Sequence, residues 1–221
     1  MRSPSTRTLA TGGMVAPWIW TAVVIVLTVL EYDTLTGFGW TLLSAPNVNY
    51  PSSLALGAFG WAQMANFGLL GILLIGLAIA LYRSVRPRWT ARVAPVLLGI
   101  SGFGFVMSVF PTDHGPPNAP ETWHGDIHIL GFIVFFLPMV LSMFFIALSF
   151  RGDSRWRGYV WFGPVVGVLA LIAFIGLAAI LPTSVDQIPF YLTLVVLFIG
   201  ITVIARHVRS LASVTEPRST P

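Results

Sequence analysis

Long apolar runs separated by short polar connections dominate this sequence. A helix that crosses a hydrocarbon core of roughly 30 Å needs about 20 mostly apolar residues, because the lipid offers no hydrogen-bond partner to an open backbone. Six runs reach or approach that length, at residues 14–30, 54–82, 93–111, 127–150, 158–181 and 188–205. The first and last need flanking residues to complete a crossing. The sequence therefore predicts an all-α polytopic membrane protein with six transmembrane helices.

The charge content supports this prediction and excludes several classes of protein. Only 9% of the residues are charged, against about a quarter in soluble domains, so they cannot cover a water-facing surface. The formal charge of +4 comes from Arg alone, since the sequence has no Lys. These Arg flank apolar runs and do not form a basic face, so nucleic acid is not expected as a partner. Cys is absent, which excludes disulfides and thiolate metal sites.

The distribution of Arg predicts the orientation of the chain. Short cytoplasmic connections are enriched in Arg, whereas connections on the opposite side are not. Here every Arg precedes the first run, follows the last, or lies in the second or fourth connection. We therefore expect both termini in the cytoplasm and a multi-pass protein of the plasma membrane. The expected parts are a tail at 1–13, a transmembrane domain at 14–208 and a disordered tail at 209–221.

Several polar and small residues have structural interpretations. The connection at 32–53 is the longest and is expected to lie on the membrane surface as a lid. Gly residues recur within the runs, which predicts close helix packing. Gln63 and Asn66, one turn apart, are expected to form hydrogen bonds between helices. Ser52 and Ser53 precede the second run, where capping of the helix is the default expectation.

The connection between the third and fourth runs is the richest in chemically active residues. Three of the four His lie between residues 110 and 128. If the fourth helix begins around Pro120 or Glu121, His124 and His128 lie one turn apart on one face. At 100° per residue, Glu121 joins that face while Asp126 points away.

This pattern predicts a metal site. Asp113 closes the third run, and the following Pro-rich connection is long enough to return its carboxylate to His124 and His128. Two imidazoles and a carboxylate are a common ligand set for a catalytic divalent ion, Zn²⁺ foremost, with an open position for water. His114 and Glu121 are then candidates for a fourth ligand or for the general base.

A structural interpretation of the same residues stays open. Carboxylates and His at a helix start also cap backbone N–H groups and pair with one another near water. Glu31 and Asp33 end the first run on the same side, where they either join the cluster or are merely solvated. Residue spacing alone does not decide between these interpretations.

Five segments carry a resemblance to a bacterial membrane family, the domain of unknown function 998. They are Tyr50-Pro-Ser-Ser-Leu, Gly60-Trp61, Asn66-Phe67, Phe110-Pro-Thr-Asp113 and His124-Gly-x-x-His128. The resemblance implies six helices and marks Asp113, His124, Gly125 and His128, but it implies no reaction. The chain is also faintly similar to the alkaline ceramidases and progestin-and-adipoQ receptors, seven-helix bundles that hold zinc with His and Asp. That similarity makes lipid-amide hydrolysis an analogy only.

Two functions remain as hypotheses. The first is a metal-dependent hydrolase acting on a lipid or lipid-linked substrate at the outer face of the membrane. The second is a non-catalytic accessory protein or small permease in which the His/Asp cluster is structural. Membrane lipids are the expected partners in both cases. Haem binding is disfavoured because His124 and His128 share one helix.

Overall fold

The part of the chain that the structure describes contains six long helices. The computed structural model describes residues 4–45, 48–115 and 119–215. The helices are α1 (Thr6–Leu30), α2 (Gly60–Ser84), α3 (Trp89–Met107), α4 (Trp123–Phe150), α5 (Ser154–Ile180) and α6 (Gln187–Thr215). Each is long and apolar enough to cross a membrane, and no strand occurs in these ranges. The prediction of an all-α fold with six spans is confirmed.

The ends of the helices differ from the sequence predictions. The first helix already begins at Thr6, where the hydroxyl of Ser5 accepts a hydrogen bond from the N–H of Thr8 at 3.2 Å. The last helix continues to Thr215, so both expected tails are partly helical; residues 216–221 lie outside the described ranges. These extensions lengthen the two runs that looked short. Hydropathy marks the lipid-embedded part of a helix and not the turns beyond it.

The six helices form a closed ring. Each packs against the next one along the chain, and α1 also packs against α6. Small residues allow the closest approaches, as predicted: a Cβ at Gly102 would lie 2.8 Å from the carbonyl oxygen of Gly71. The interhelical bond expected of Asn66 is present, since it donates to the carbonyl of Trp20 in α1 at 3.1 Å. Gln63 instead donates to the carbonyl of Pro51 in the 31–59 connection at 3.4 Å.

Helix α5 departs from regular α geometry. It begins as a 3₁₀ turn over Ser154–Tyr159 and contains a π-helical segment at Ile172–Gly176. α5 contributes no residue to the wall of the cavity described below. The other five helices position that cavity.

The connections separate into two ends, which we call the arginine end and the histidine end. At the arginine end, the buried carboxylate of Asp153 pairs with Arg155 at 2.7 Å and with Arg86 at 3.7 Å. Hydrogen bonds from Arg155 hold the pKa of Asp153 below its ordinary value. His207 also lies at this end, 2.9 Å from the carbonyl of Arg155.

At the histidine end, the 31–59 connection is tied to the 181–187 connection. Asp186 accepts the N–H of Ala45 at 3.0 Å, and the N–H of Gln187 donates to Leu43 at 3.0 Å. Glu31, at the end of α1, is buried and accepts the N–H of Phe59 at 2.7 Å. These bonds hold the long connection over the ring.

Candidate active site

A cavity of about 470 Å³ opens at the histidine end of the ring. This volume lies within the range of small-molecule sites. Aromatic side chains form much of its wall, contributed by all the helices except α5. They are Trp20, Phe67, Phe105, Phe132, Phe135 and Phe190. Residues 48–52 also line it, so the long connection forms part of the cavity wall.

Ser52 and His128 form a hydrogen-bonded pair on this cavity. The hydroxyl oxygen of Ser52 lies 2.8 Å from Nε2 of His128, and both residues line the cavity. Nδ1 of His128 lies 2.6 Å from the carbonyl oxygen of Phe110. His128 is 4% exposed, and the ring of Phe67 meets it edge-on at 5.8 Å.

The carbonyl of Phe110 determines which ring nitrogen of neutral His128 carries the hydrogen. A carbonyl oxygen only accepts hydrogen bonds, so Nδ1 of His128 must donate and carries the hydrogen. In the neutral ring, Nε2 is then the acceptor, and the hydroxyl of Ser52 donates to it. This is the arrangement in which a histidine accepts the proton of a serine nucleophile while a third group orients the ring.

Local structure brings the two partners together from distant parts of the chain. Ser52 begins a 3₁₀ turn over Ser52–Leu56. The next residue, Ser53, is fully buried and its hydroxyl donates to the carbonyl of His114 at 2.6 Å. The 31–59 connection is thereby bonded to the α3–α4 connection, whose Phe110 carbonyl orients His128.

The expected cap at Ser52 and Ser53 is wrong, because α2 begins only at Gly60 and its preceding residue, Phe59, makes no side-chain cap. The hydroxyl of Ser52 is directed to His128 instead. Sequence analysis therefore missed the residue that pairs with the buried histidine. The Tyr50-Pro-Ser-Ser segment of the family resemblance was the available signal.

Asp113 holds the start of α4. One carboxylate oxygen accepts the N–H of Thr122 at 2.6 Å, and the other accepts its hydroxyl at 2.7 Å. The side-chain bond from Thr122 is the main reason that the pKa of Asp113 lies below its ordinary value. Thr122 in turn caps α4 by accepting the N–H of Gly125 at 3.3 Å.

The predicted start of α4 at Pro120 or Glu121 is therefore wrong. Thr122 has an extended backbone and α4 begins at Trp123, because the two bonds to Asp113 fix Thr122 ahead of the helix. Glu121 precedes the helix and does not share a helical face with His124 and His128. It is exposed and does not line the cavity.

The three predicted metal ligands do not come together as a ligand group. Within the described ranges, no group of three or more His, Asp or Glu side chains is arranged to hold a metal ion. Nδ1 of His124 lies 3.6 Å from Asp113, 2.8 Å from the hydroxyl of Thr122 and 3.3 Å from the Pro111 carbonyl. His128 uses one nitrogen for Phe110 and the other for Ser52. The donor set does not fit the expected triad, and metal binding itself stays a prediction.

His114 lines the cavity of the Ser52–His128 pair, whereas Glu121 does not. It is exposed at the mouth of the site and lines the cavity, while its backbone carbonyl accepts the hydroxyl of Ser53. Its predicted role as a proton carrier stays a prediction. Glu31, the other candidate of this end, supports the Phe59 turn and does not line the cavity.

A second cavity of about 370 Å³ lies between α1 and α6. We call it the lateral groove. Its wall is almost wholly apolar and includes exposed residues of both helices, such as Trp18, Ile25 and Val195. Trp20, Tyr50, Pro51, Phe190 and Leu194 belong to the walls of both cavities. The groove therefore adjoins the cavity that holds Ser52 and His128.

The fold and the site together define a polytopic membrane protein: a ring of six helices with a buried serine–histidine pair at one end. The chain belongs to the family described as "Protein of unknown function (DUF998)", which matches residues 14–207. The match includes most of α6, so it extends beyond the segments that carried the resemblance. No curated protein and no solved structure matches the chain, and the faint similarity to ceramidases is not shown.

Proposed function

We propose that this protein is a membrane hydrolase that cleaves an acyl lipid, with Ser52 as nucleophile and His128 as general base. The observation that carries the proposal is the 2.8 Å contact between the Ser52 hydroxyl and Nε2 of a histidine whose Nδ1 is held by a backbone carbonyl. The pair lies on a largely aromatic cavity of suitable volume.

The reaction follows from the proton positions. Ser52 attacks the carbonyl carbon of the ester as its proton passes to Nε2 of His128. The tetrahedral intermediate collapses, and the leaving alcohol takes that proton from His128. Water, deprotonated by His128, then cleaves the acyl-serine to release the fatty acid and restore Ser52. No metal ion enters these steps.

The lateral groove supports a lipid as substrate. Its apolar wall faces the side of the ring between α1 and α6, and it shares five wall residues with the cavity of the Ser52–His128 pair. An acyl chain in the groove would be continuous with a carbonyl group placed at Ser52. The chain would bind there by van der Waals packing, because lipid tails already surround it with apolar groups in the membrane.

The Arg distribution supports an orientation with the histidine end outside the cell. The site would then act on the outer leaflet of the bacterial plasma membrane. Reporter fusions to the 31–59 and 84–88 connections measure this directly. A cytoplasmic signal from the 31–59 fusion would contradict this orientation.

The hydrolase is tested on purified protein in detergent with a fluorophosphonate probe and with a fluorogenic acyl ester. We expect the probe to label the wild type, and Ser52→Ala to lose both labelling and hydrolysis. His128→Gln should lower the hydrolysis rate by about 10²–10⁴-fold, the usual contribution of a general base.

Ser108→Ala is the matched control. Ser108 also lines the cavity, but its hydroxyl donates to Gly104 within its own helix. We expect this variant to keep labelling and hydrolysis. Labelling or hydrolysis that survives Ser52→Ala would overturn the assignment of Ser52 as nucleophile. A wild type that neither reacts with the probe nor hydrolyses the ester would favour a non-catalytic membrane protein.

A further inference from the structure

Gln187 lines the cavity that holds Ser52 and His128 and carries an unpaired polar atom. It is the first residue of α6 and is only 9% exposed. Its Oε1 is buried and has no hydrogen-bond partner within the described residues. A buried acceptor without a partner costs free energy, so such an atom requires an explanation.

The position of Gln187 is fixed by its surroundings. Its N–H donates to the carbonyl of Leu43 at 3.0 Å, and the neighbouring Asp186 accepts the N–H of Ala45. Two hydrogen bonds to the 31–59 connection thus fix the start of α6, from which Gln187 lines the cavity. Preorganisation of this kind is typical of a recognition residue.

Trp20 offers a complementary group on the same cavity. Its indole N–H is buried and also has no partner in the described part of the chain. Both residues line the cavity, so its wall includes a residue of α6 with an unpaired acceptor and a residue of α1 with an unpaired donor. A hydroxyl group both donates and accepts, so it satisfies either atom.

The charges at the histidine end restrict the ligand further. The connections at 31–59, 108–122 and 181–186 contain no Arg or Lys, whereas they contain Glu31, Asp33, Asp113, Glu121 and Asp186. A phosphate group would find no cation there to pair with. An uncharged headgroup avoids both repulsion and desolvation of a charge.

We propose that Gln187 recognises the headgroup of the substrate, and that the substrate is an uncharged acyl lipid with a free hydroxyl group, of the monoacylglycerol type. This inference rests on the proposed hydrolase activity, because that activity is what would make the bound lipid a substrate. The hydroxyl bonds to the amide of Gln187 while the acyl chain occupies the lateral groove. Gln187 is a specificity residue and takes no part in the bond cleavage.

Binding of a non-hydrolysable ligand tests the inference separately from catalysis. The probes are a monoalkylglycerol ether and its di-O-methyl derivative of equal chain length, which lacks the hydroxyl donors. Affinities are measured by tryptophan fluorescence in the full-length Ser52→Ala protein, which cannot turn over any ester. We expect the free hydroxyls to strengthen binding by about threefold to tenfold, as one hydrogen bond does.

Gln187→Leu should abolish this preference while binding of the di-O-methyl ether stays unchanged. Thr193→Val is the matched control, since it removes a buried hydroxyl from the same helix but lies outside both cavities. Gln187→Met serves as a second variant should the first not fold.

Equal affinity for the two probes, or a preference that survives both Gln187 variants, would overturn the inference. Failure of the hydrolase has a different signature. In that case the binding preference persists and depends on Gln187, but the wild type releases no fatty acid from a monoacylglycerol.

Discussion

The carboxylate of Asp113 occupies the space that a side chain at position 125 would need. Gly125 lies in the first turn of α4, and Asp113 closes the α3–α4 connection by accepting two bonds from Thr122. This contact explains why a glycine stands between His124 and His128 in their shared motif. The motif builds the start of the helix that carries His128.

Gly125→Ala should destabilise the protein by about 1–3 kcal/mol, because the added Cβ collides with the Asp113 carboxylate. The measurement is thermal unfolding in detergent. Gly99→Ala is the control, since its Cβ would meet Ala78 at an ordinary 3.6 Å. An unchanged melting temperature for Gly125→Ala would contradict the contact.

Asp113 should make stability depend on acid pH. Its folded pKa lies below the ordinary value of 3.8, so it stabilises the fold above the unfolded pKa and loses that contribution as the pH falls through the folded pKa. Melting temperatures from pH 7 to pH 3 should fall less steeply for Asp113→Asn than for the wild type. Asp126→Asn alters an exposed carboxylate in the first turn of α4 and should follow the wild-type curve. Identical curves for wild type and Asp113→Asn would refute the prediction.

Glu31 and Asp33 should respond differently to substitution. Glu31→Ala removes the acceptor of the Phe59 N–H and of the Thr34 hydroxyl. We expect a loss of about 1–3 kcal/mol, because hydrogen bonds to a charged group contribute about that much. Asp33→Ala alters an exposed residue and should change stability by less than about 0.5 kcal/mol. Comparable losses of stability in the two variants would show that the hydrogen bond from Phe59 to Glu31 does not contribute to stability.

Hydrolysis should survive removal of metal ions. Both nitrogens of His128 already bond to Ser52 and Phe110, and the predicted triad with Asp113 and His124 is not assembled. We expect ester hydrolysis by the purified protein to be unchanged after chelator treatment and dialysis. Near-stoichiometric metal that is lost in His128→Ala, together with chelator-sensitive activity, would restore the metal-dependent mechanism.

The sequence predicts the number of helices well, because the apolar length that a membrane-spanning helix needs is a local property of the sequence. About 20 apolar residues suffice for a span, and no knowledge of neighbours is needed. Helix ends were less predictable, as at Thr122, where a carboxylate nine residues earlier in the chain decides the first residue of α4. The bonding of Asn66 across to α1 was predictable because a buried amide must find a partner.

The residues that form the site could not be predicted from the sequence, because the contacts between them are not local. Ser52 and His128 are 76 residues apart, and only the packing of two connections brings them together. His124 and His128 share the spacing of a ligand pair, yet one faces Thr122 and the other faces Ser52. Spacing along a helix does not report which neighbours each side chain meets.

Closure of the ring by α6 has a consequence for biogenesis. A nascent chain emerges from its N-terminus, so α6 leaves the ribosome and enters the bilayer after the other five helices. Gln187, Phe190 and Leu194 complete the wall of the cavity from this helix. Until it docks between α1 and α5, the serine and the histidine face an open cleft, and the assembling protein has no enclosed chamber.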